Sequence, residues 1–162
     1  SQMNTSAARS PYWTCFQAAQ AALGFNGFLS SKISCRDLIE NRGDAHHIYP
    51  KNYMKTREYA RSEYNQIANL TLTQQEINIA IGDKAPSKYF SELVKQCNGG
   101  EKKYGNIISI PNLEQNLAEH AIPNQILETE IAFPDFLELR RHAMAQVIRK
   151  YFAKLGESVQ FK

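Results

Sequence analysis

Apolar residues recur at helical intervals through most of the chain and alternate in one short stretch near its middle. In the first periodic run, over 11–23, Trp13, Phe16 and the Ala19/Gln20 pair follow the repeat of one helix face. Pro11 suits the first turn and Gly24 the stop. A shorter helix is expected over 34–41, with Ser34 as N-cap, Gly43 beyond its end, and Leu38 and Ile39 facing inward. The pattern then changes. Residues 44–49 lie between Gly43 and Pro50 and read as a brief strand. Residues 51–65 are polar and aromatic without a period, which predicts a loop with a helical turn.

Asn69-Leu70-Thr71-Leu72 alternates and reads as a second strand. Thr73-Gln74-Gln75-Glu76 has the form of a capping box opening a helix that carries Ile77 and Ile81 and stops at Gly82. Further helices are expected over 86–97, 112–121 and 135–155, the last opened by a capping box from Asp135 to Glu138. Its apolar stripe includes Phe136, Leu137, Met144, Val147, Ile148, Phe152 and Leu155, with Arg140, Arg141, Arg149 and Lys150 largely off it. The predicted class is α+β. A mostly helical domain, with flanks at 11–41 and 86–155, surrounds a strand–loop–strand–helix core at about 43–84.

At 162 residues the chain has the size of one ordinary domain with a real core. No apolar run approaches the length that crosses a membrane. The start, Ser1 to Ser10, is polar and unlike a signal peptide. Ser1 is not an initiator, so the expectation is an excised piece of a longer protein. Cys15, Cys35 and Cys97 form no C-x-x-C pair, which disfavours a disulfide framework or a four-Cys zinc site and fits reduced thiols in the cytoplasm. The net charge of +3 is compatible with a nucleic-acid partner without arguing for one.

The chemistry concentrates in Asp44-Ala45-His46-His47-Ile48-Tyr49-Pro50, followed by Asn69, by Asn78 nine residues later, and by Lys84. Alone, a His-His pair is more often structural than catalytic. Asn78 stands inside a predicted helix, where asparagine is a mediocre former, and its bland role is to face solvent. Together, D-x-H-H-I-x-P, N-L-T-L, the asparagine nine residues on and the lysine beyond it resemble the HNH nuclease motif, whose ββα unit holds one divalent metal. The HNH domains of CRISPR effector nucleases share this layout. A closer likeness is to the HNH-like C-terminal domain of GmrSD-type restriction proteins. It is carried by the stretches 42–51, 64–70 and 77–87 and by the closing Phe136-Leu137-Glu138-Leu139-Arg140-Arg141. The likeness covers about 8–155, with a specific core motif and much less specific helical flanks. It departs from the family's lettering in ending on Asn78 rather than a histidine, which leaves the choice of metal open.

The resemblance implies a role for each residue. His47 matches the general base, Asn69 the brace of the loop, and His46 and Asn78 the metal ligands. Asp44, on the strand face of His46, would orient His46 or touch the ion's shell. Lys84 would meet a substrate phosphate or, as evenly expected, remain a solvated surface lysine. Lys51 and Arg42 are weaker phosphate candidates. One imidazole, one amide oxygen and water favour Mg²⁺ or Mn²⁺, and Zn²⁺ or Ni²⁺ could also bind. The implied substrate is DNA, cut to a 5′-phosphate and a 3′-hydroxyl, in prokaryotic restriction and anti-phage defence. The implied companion is an N-terminal nucleotide-using domain of the ParB/sulfiredoxin class. The competing expectations are a catalytically inactive HNH fold that binds DNA or a partner, and a structural zinc module, which the lack of cysteine pairs disfavours. His120 reads as a helix-end histidine, His142 as a polar-face residue and Cys97 as packing. The decisive expectation is spatial: an imidazole from the first strand must face a carboxamide on the following helix.

Overall fold

A computed structural model of the chain describes residues 10–41 and 43–159. Helix α1 (Pro11–Ala22) begins where Ser10 Oγ accepts the Tyr12 amide and Pro11 supplies a preset φ. It buries Trp13, Phe16, Ala19 and Gln20, the face its period marks. Helix α2 (Cys35–Glu40) opens on a reciprocal box: the Asp37 amide donates to Ser34 Oγ, and the Ser34 amide donates to the Asp37 carboxylate. Leu38 turns inward, but Ile39 is 41% exposed. Adjacent helical residues point about 100° apart, so so short a helix seats only one of them in the core.

Strand β1 (Asp44–His47) pairs antiparallel with β2 (Leu70–Thr73), with Asp44 opposite Thr73 and His47 opposite Leu70. β1 is two residues shorter than expected, because the Asn69 side chain takes the Tyr49 amide away from any ladder. Between the strands lie α3 (Lys51–Thr56) and α4 (Arg61–Tyr64), two short helices where the sequence indicates a loop with one helical turn. A 3-10 turn, Ile67–Asn69, leads into β2. All four β2 residues are buried, and its threonines find polar partners inside. Thr73 Oγ1 donates to the Phe28 carbonyl, which makes Thr73 the last strand residue and not a helix cap. Helix α5 (Gln75–Ile81) therefore starts from Gln74, without a side-chain cap, and ends at Gly82.

Helix α6 (Pro86–Cys97) follows expectation. Helix α7 (Ile110–Glu119) starts earlier than its apolar period indicates, because Ser109 caps it and Pro111 fills the first turn. Helix α8 (Phe133–Val159) also starts early. Asp135 lies in its first turn and not at its cap, and the helix runs on through Gly156.

Phe16, Phe28, Ile48, Tyr89, Phe90 and Phe136 are fully buried in a core shared by the flanking helices and the sheet. The apolar stripe of α8 is buried at Phe136, Leu137 and Met144, whereas Phe152 and Leu155 are exposed. Arg140 departs most from expectation, because its side chain is wholly buried. It donates to the carbonyls of His120 (3.2 Å), Ile67 (3.3 Å) and Ala68 (2.8 Å). Burial pulls its pKa down to about 9, which still leaves it charged at neutral pH, and the three carbonyls replace lost water. The architecture is α+β and mostly helical, with a small two-stranded antiparallel sheet. Among the described residues, no helix is long and apolar enough to cross a membrane.

Candidate functional site

The chain brings β1, β2 and α5 together in the order strand, strand, helix. His46 sits in β1 opposite Thr71, and its buried ring lies nearly parallel to Phe28, with centroids 6.3 Å apart. Asn78 projects from the middle of α5 and is half-buried. His46 Nδ1 donates to Asn78 Oδ1 across 2.6 Å. The strand imidazole and the helix carboxamide thus face each other, as the motif requires.

His47, the last residue of β1, has partners of its own. Its Nε2–H donates to Asn65 Oδ1 at 3.2 Å, and the ring meets Tyr64 edge-on at 6.2 Å. With Nε2 engaged, Nδ1 carries the lone pair. Burial lowers the His47 pKa, the Asn65 bond opposes that, and the nearby Lys51 charge lowers it further. The imidazole is therefore neutral at physiological pH, the form a general base needs.

Asn69 holds this arrangement in place. Its Oδ1 accepts the Tyr49 amide at 2.8 Å, and its Nδ2 donates to the carbonyls of Tyr49 (3.1 Å) and Tyr64 (2.9 Å). The Ile48 amide donates to the Asn69 carbonyl at 2.9 Å. One fully buried amide side chain thereby clamps the loop that leaves His47 to the segment that carries Asn65. Tyr89 adds a second clamp: its hydroxyl donates to the Ile48 carbonyl at 2.7 Å.

The remaining candidates divide. Lys51 is exposed at the start of α3 and near enough for its charge to act on His47. Lys84 Nζ donates to the Ala80 carbonyl at 2.5 Å and lies over the Tyr104 ring, 5.2 Å from its centre. It closes the last turn of α5. Arg42 lies outside the described residues, and so does the side chain of Asp44, whose backbone belongs to β1. Cys97 is half-buried with its thiol toward the Ile107 carbonyl, and His142 is exposed. His120 caps the end of α7 but is wholly buried, and burial lowers its pKa to about 3. The sequence reading gave no role to Asn65, Tyr64, Tyr89 or Arg140. Only the spacing of Asn65 to Asn69, four residues apart in a polar stretch, offered a signal.

The donor chemistry fits one hard divalent ion. His46 and Asn78 offer an imidazole nitrogen, once its proton shifts to Nε2, and an amide oxygen. Neighbouring ligands in an octahedral shell stand about 3 Å apart, so to hold an ion the 2.6 Å pair would open by a few tenths of an ångström and both groups would turn their lone pairs toward it. Among the described residues no group of three His, Cys, Asp or Glu side chains gathers anywhere. Held by His46 and Asn78 alone, an ion would keep positions for water and phosphate. No family model, curated protein or solved structure matches the chain.

Proposed function

We propose that this chain is a metal-dependent endonuclease that hydrolyses DNA phosphodiester bonds by an HNH-type mechanism. The observation that carries the reading is the 2.6 Å approach of His46 to Asn78, with neutral His47 on the adjoining position of the strand. His46 and Asn78 would hold Mg²⁺ or Mn²⁺, and the side chain of Asp44 is a further candidate ligand. The bound ion would supply charge neutralisation at a non-bridging phosphate oxygen and at the leaving 3′ oxygen. His47 takes the proton of the attacking water on Nδ1, while Asn65 holds Nε2 and so fixes the ring's orientation. Asn69 and Tyr89 keep the loop after His47 from drifting, which preserves the line of attack. Lys51, exposed beside His47, would meet a phosphate there. By the same resemblance, the activity would serve prokaryotic restriction and anti-phage defence, with an N-terminal ParB/sulfiredoxin-like domain as companion.

The test is nicking of supercoiled plasmid with Mg²⁺ or Mn²⁺, with and without chelator. Metal-dependent nicking is expected, with a loss of at least about 100-fold in His47→Ala, the scale of one general base. Nicking that persists unchanged in that variant would defeat the assignment. One observation favours a second reading, a module that binds DNA without cutting it: His46 is only 3% exposed and already bonded to Asn78. That reading gains if pure protein binds DNA but nicks it with neither ion.

A further inference from the structure

The excursion between the two strands carries a feature that the catalytic reading leaves unused. Over residues 51–61 there are four cations, Lys51, Lys55, Arg57 and Arg61, against the single acid Glu58. That is a local surplus of three positive charges. All four cations are exposed. Two half-buried tyrosines, Tyr53 and Tyr59, alternate with them.

Beneath these tyrosines lies a pocket of about 390 Å³, between α3 and the segment that enters α8. That volume falls in the range of about 300–1,000 Å³ typical of sites for small organic ligands. Four aromatic residues line it, Tyr49, Tyr53, Tyr59 and Phe133, together with Met54, Ile131 and Ala132. Phe133 packs on Tyr49 and Tyr59 with ring centres 5.1 and 5.3 Å away, and Tyr49 is tied down by its hydroxyl donating to the Ile131 carbonyl at 2.7 Å. Arg57 stands at the rim, over the Tyr53 ring at 5.2 Å and 3.9 Å from Glu130. The rim therefore offers guanidinium donors beside a carboxylate acceptor, and the walls offer flat apolar faces. Tyr49 is two residues from His47, so the pocket adjoins the proposed catalytic loop.

We propose that this pocket receives one unstacked nucleobase of a nucleic-acid strand whose phosphates follow Lys51, Lys55 and Arg61. The proposal deepens the endonuclease reading and rests on it for the choice of a nucleic-acid partner. Aromatic faces accept any base by stacking, and cations beside them hold the backbone, which is the recurring way in which proteins grip single strands. A base inside a duplex has both faces covered by its stacked neighbours, so the pocket selects a strand that is single or locally opened. An acidic peptide would satisfy the cations but would leave the aromatic pocket without a flat partner.

The experiment compares two labelled oligonucleotides by fluorescence anisotropy: dT12, and a twelve-residue strand with the same phosphates and only abasic sites. All measurements use the whole chain in the presence of a chelator, so they read binding without cleavage. Failure of the plasmid assay would thus not touch this result, nor the reverse. Wild-type protein is expected to bind dT12 at least about fivefold more tightly than the abasic strand, the low end for one base on one aromatic ring. Tyr53→Ala should erase that preference, and Tyr53→Phe should keep it. Filling the pocket through the exposed Ala132 with Ala132→Phe should also erase it, and unchanged thermal melting would show that these variants fold. Lys55→Gln should weaken both strands alike. A wild-type protein that does not distinguish the two strands overturns the proposal. So does a preference that survives both Tyr53→Ala and Ala132→Phe, and so does competition by a poly-glutamate peptide as strong as that of dT12.

Discussion

At the scale of single residues, Asn69 does the most with the fewest atoms. Its amide makes three buried hydrogen bonds, to both backbone groups of Tyr49 and to the carbonyl of Tyr64. Asn69→Ala leaves those groups buried and unpaired, and the expected cost is about 2–4 kcal/mol in urea unfolding. Asn69→Asp is the sharper variant. It keeps an acceptor for the Tyr49 amide but loses both donors and sets a charge beside two carbonyls. It should be no more stable than the alanine variant, and near-wild-type stability would show that the clamp contributes little. Tyr89→Phe removes only the hydroxyl bond to Ile48, and about 1 kcal/mol is expected.

At the scale of elements, close approaches of backbone decide which loops can change. Gly105 has a φ of 59°, and a Cβ there would stand 2.0 Å from the Leu29 carbonyl oxygen. Gly105→Ala must push the α6–α7 connection off the Leu29 turn and should cost more than about 2 kcal/mol. Gly99, with a φ of 89° but no atom within 4 Å of its Cβ, is the control. Gly99→Ala meets only the backbone penalty of about 1–2 kcal/mol. Comparing the two melting temperatures separates steric conflict from strain.

Helices were legible where period and punctuation agree, as in α1 and α6, and the two strands were legible from their flanking Gly43 and Pro50 and from the alternation at 69–72. Ends were legible only where local chemistry had no rival. Thr73 looks like a cap in sequence, but the distant Phe28 carbonyl claims its hydroxyl. The facing of His46 and Asn78, and the bracing by Asn69, followed from the motif. For Lys84 the sequence offered a phosphate contact or a surface position, and it did not foretell the Ala80 carbonyl and the Tyr104 ring that hold its ammonium. Arg140 departs for a similar reason: a charge off the apolar stripe of a helix looks solvated, but here three backbone carbonyls from other segments converge on it.

At the scale of the whole molecule, His120 is the meeting point of the flanks and the sheet. Its Nδ1 lies 2.6 Å from Thr71 Oγ1 of β2 and 3.2 Å from Gln20 Nε2 of α1. Its Nε2 donates to the Asn26 carbonyl at 2.8 Å, and Arg140 of α8 donates to its own carbonyl. Burial is the main reason its pKa falls to about 3, and the Arg140 charge adds to it. In the unfolded chain the imidazole titrates near its ordinary 6.5. The unfolded state therefore gains the proton first as the solution is acidified. The contribution of His120 to stability is complete above pH 6.5 and is lost as the pH falls toward 3. By pH 5 the loss is about 2 kcal/mol. Urea midpoints at pH 7.5 and pH 5 measure it, and His120→Gln should flatten the difference. An equal acid sensitivity in that variant would assign the effect to other groups.

The two-stranded ladder has a topological consequence. Its partners are separated by a tongue whose middle, from Lys55 to Arg61, is exposed except at Tyr59 and rich in trypsin sites. Everything before that tongue grips what comes after it: β1 pairs with β2, α1 lies along α8, and Gln20 bonds to the Glu119 carbonyl. A single proteolytic nick at Arg57 should leave two fragments that co-elute as one particle and part only in denaturant. The same seam is where the gene could be divided to give complementing halves, the first carrying His46 and His47 and the second Asn69 and Asn78.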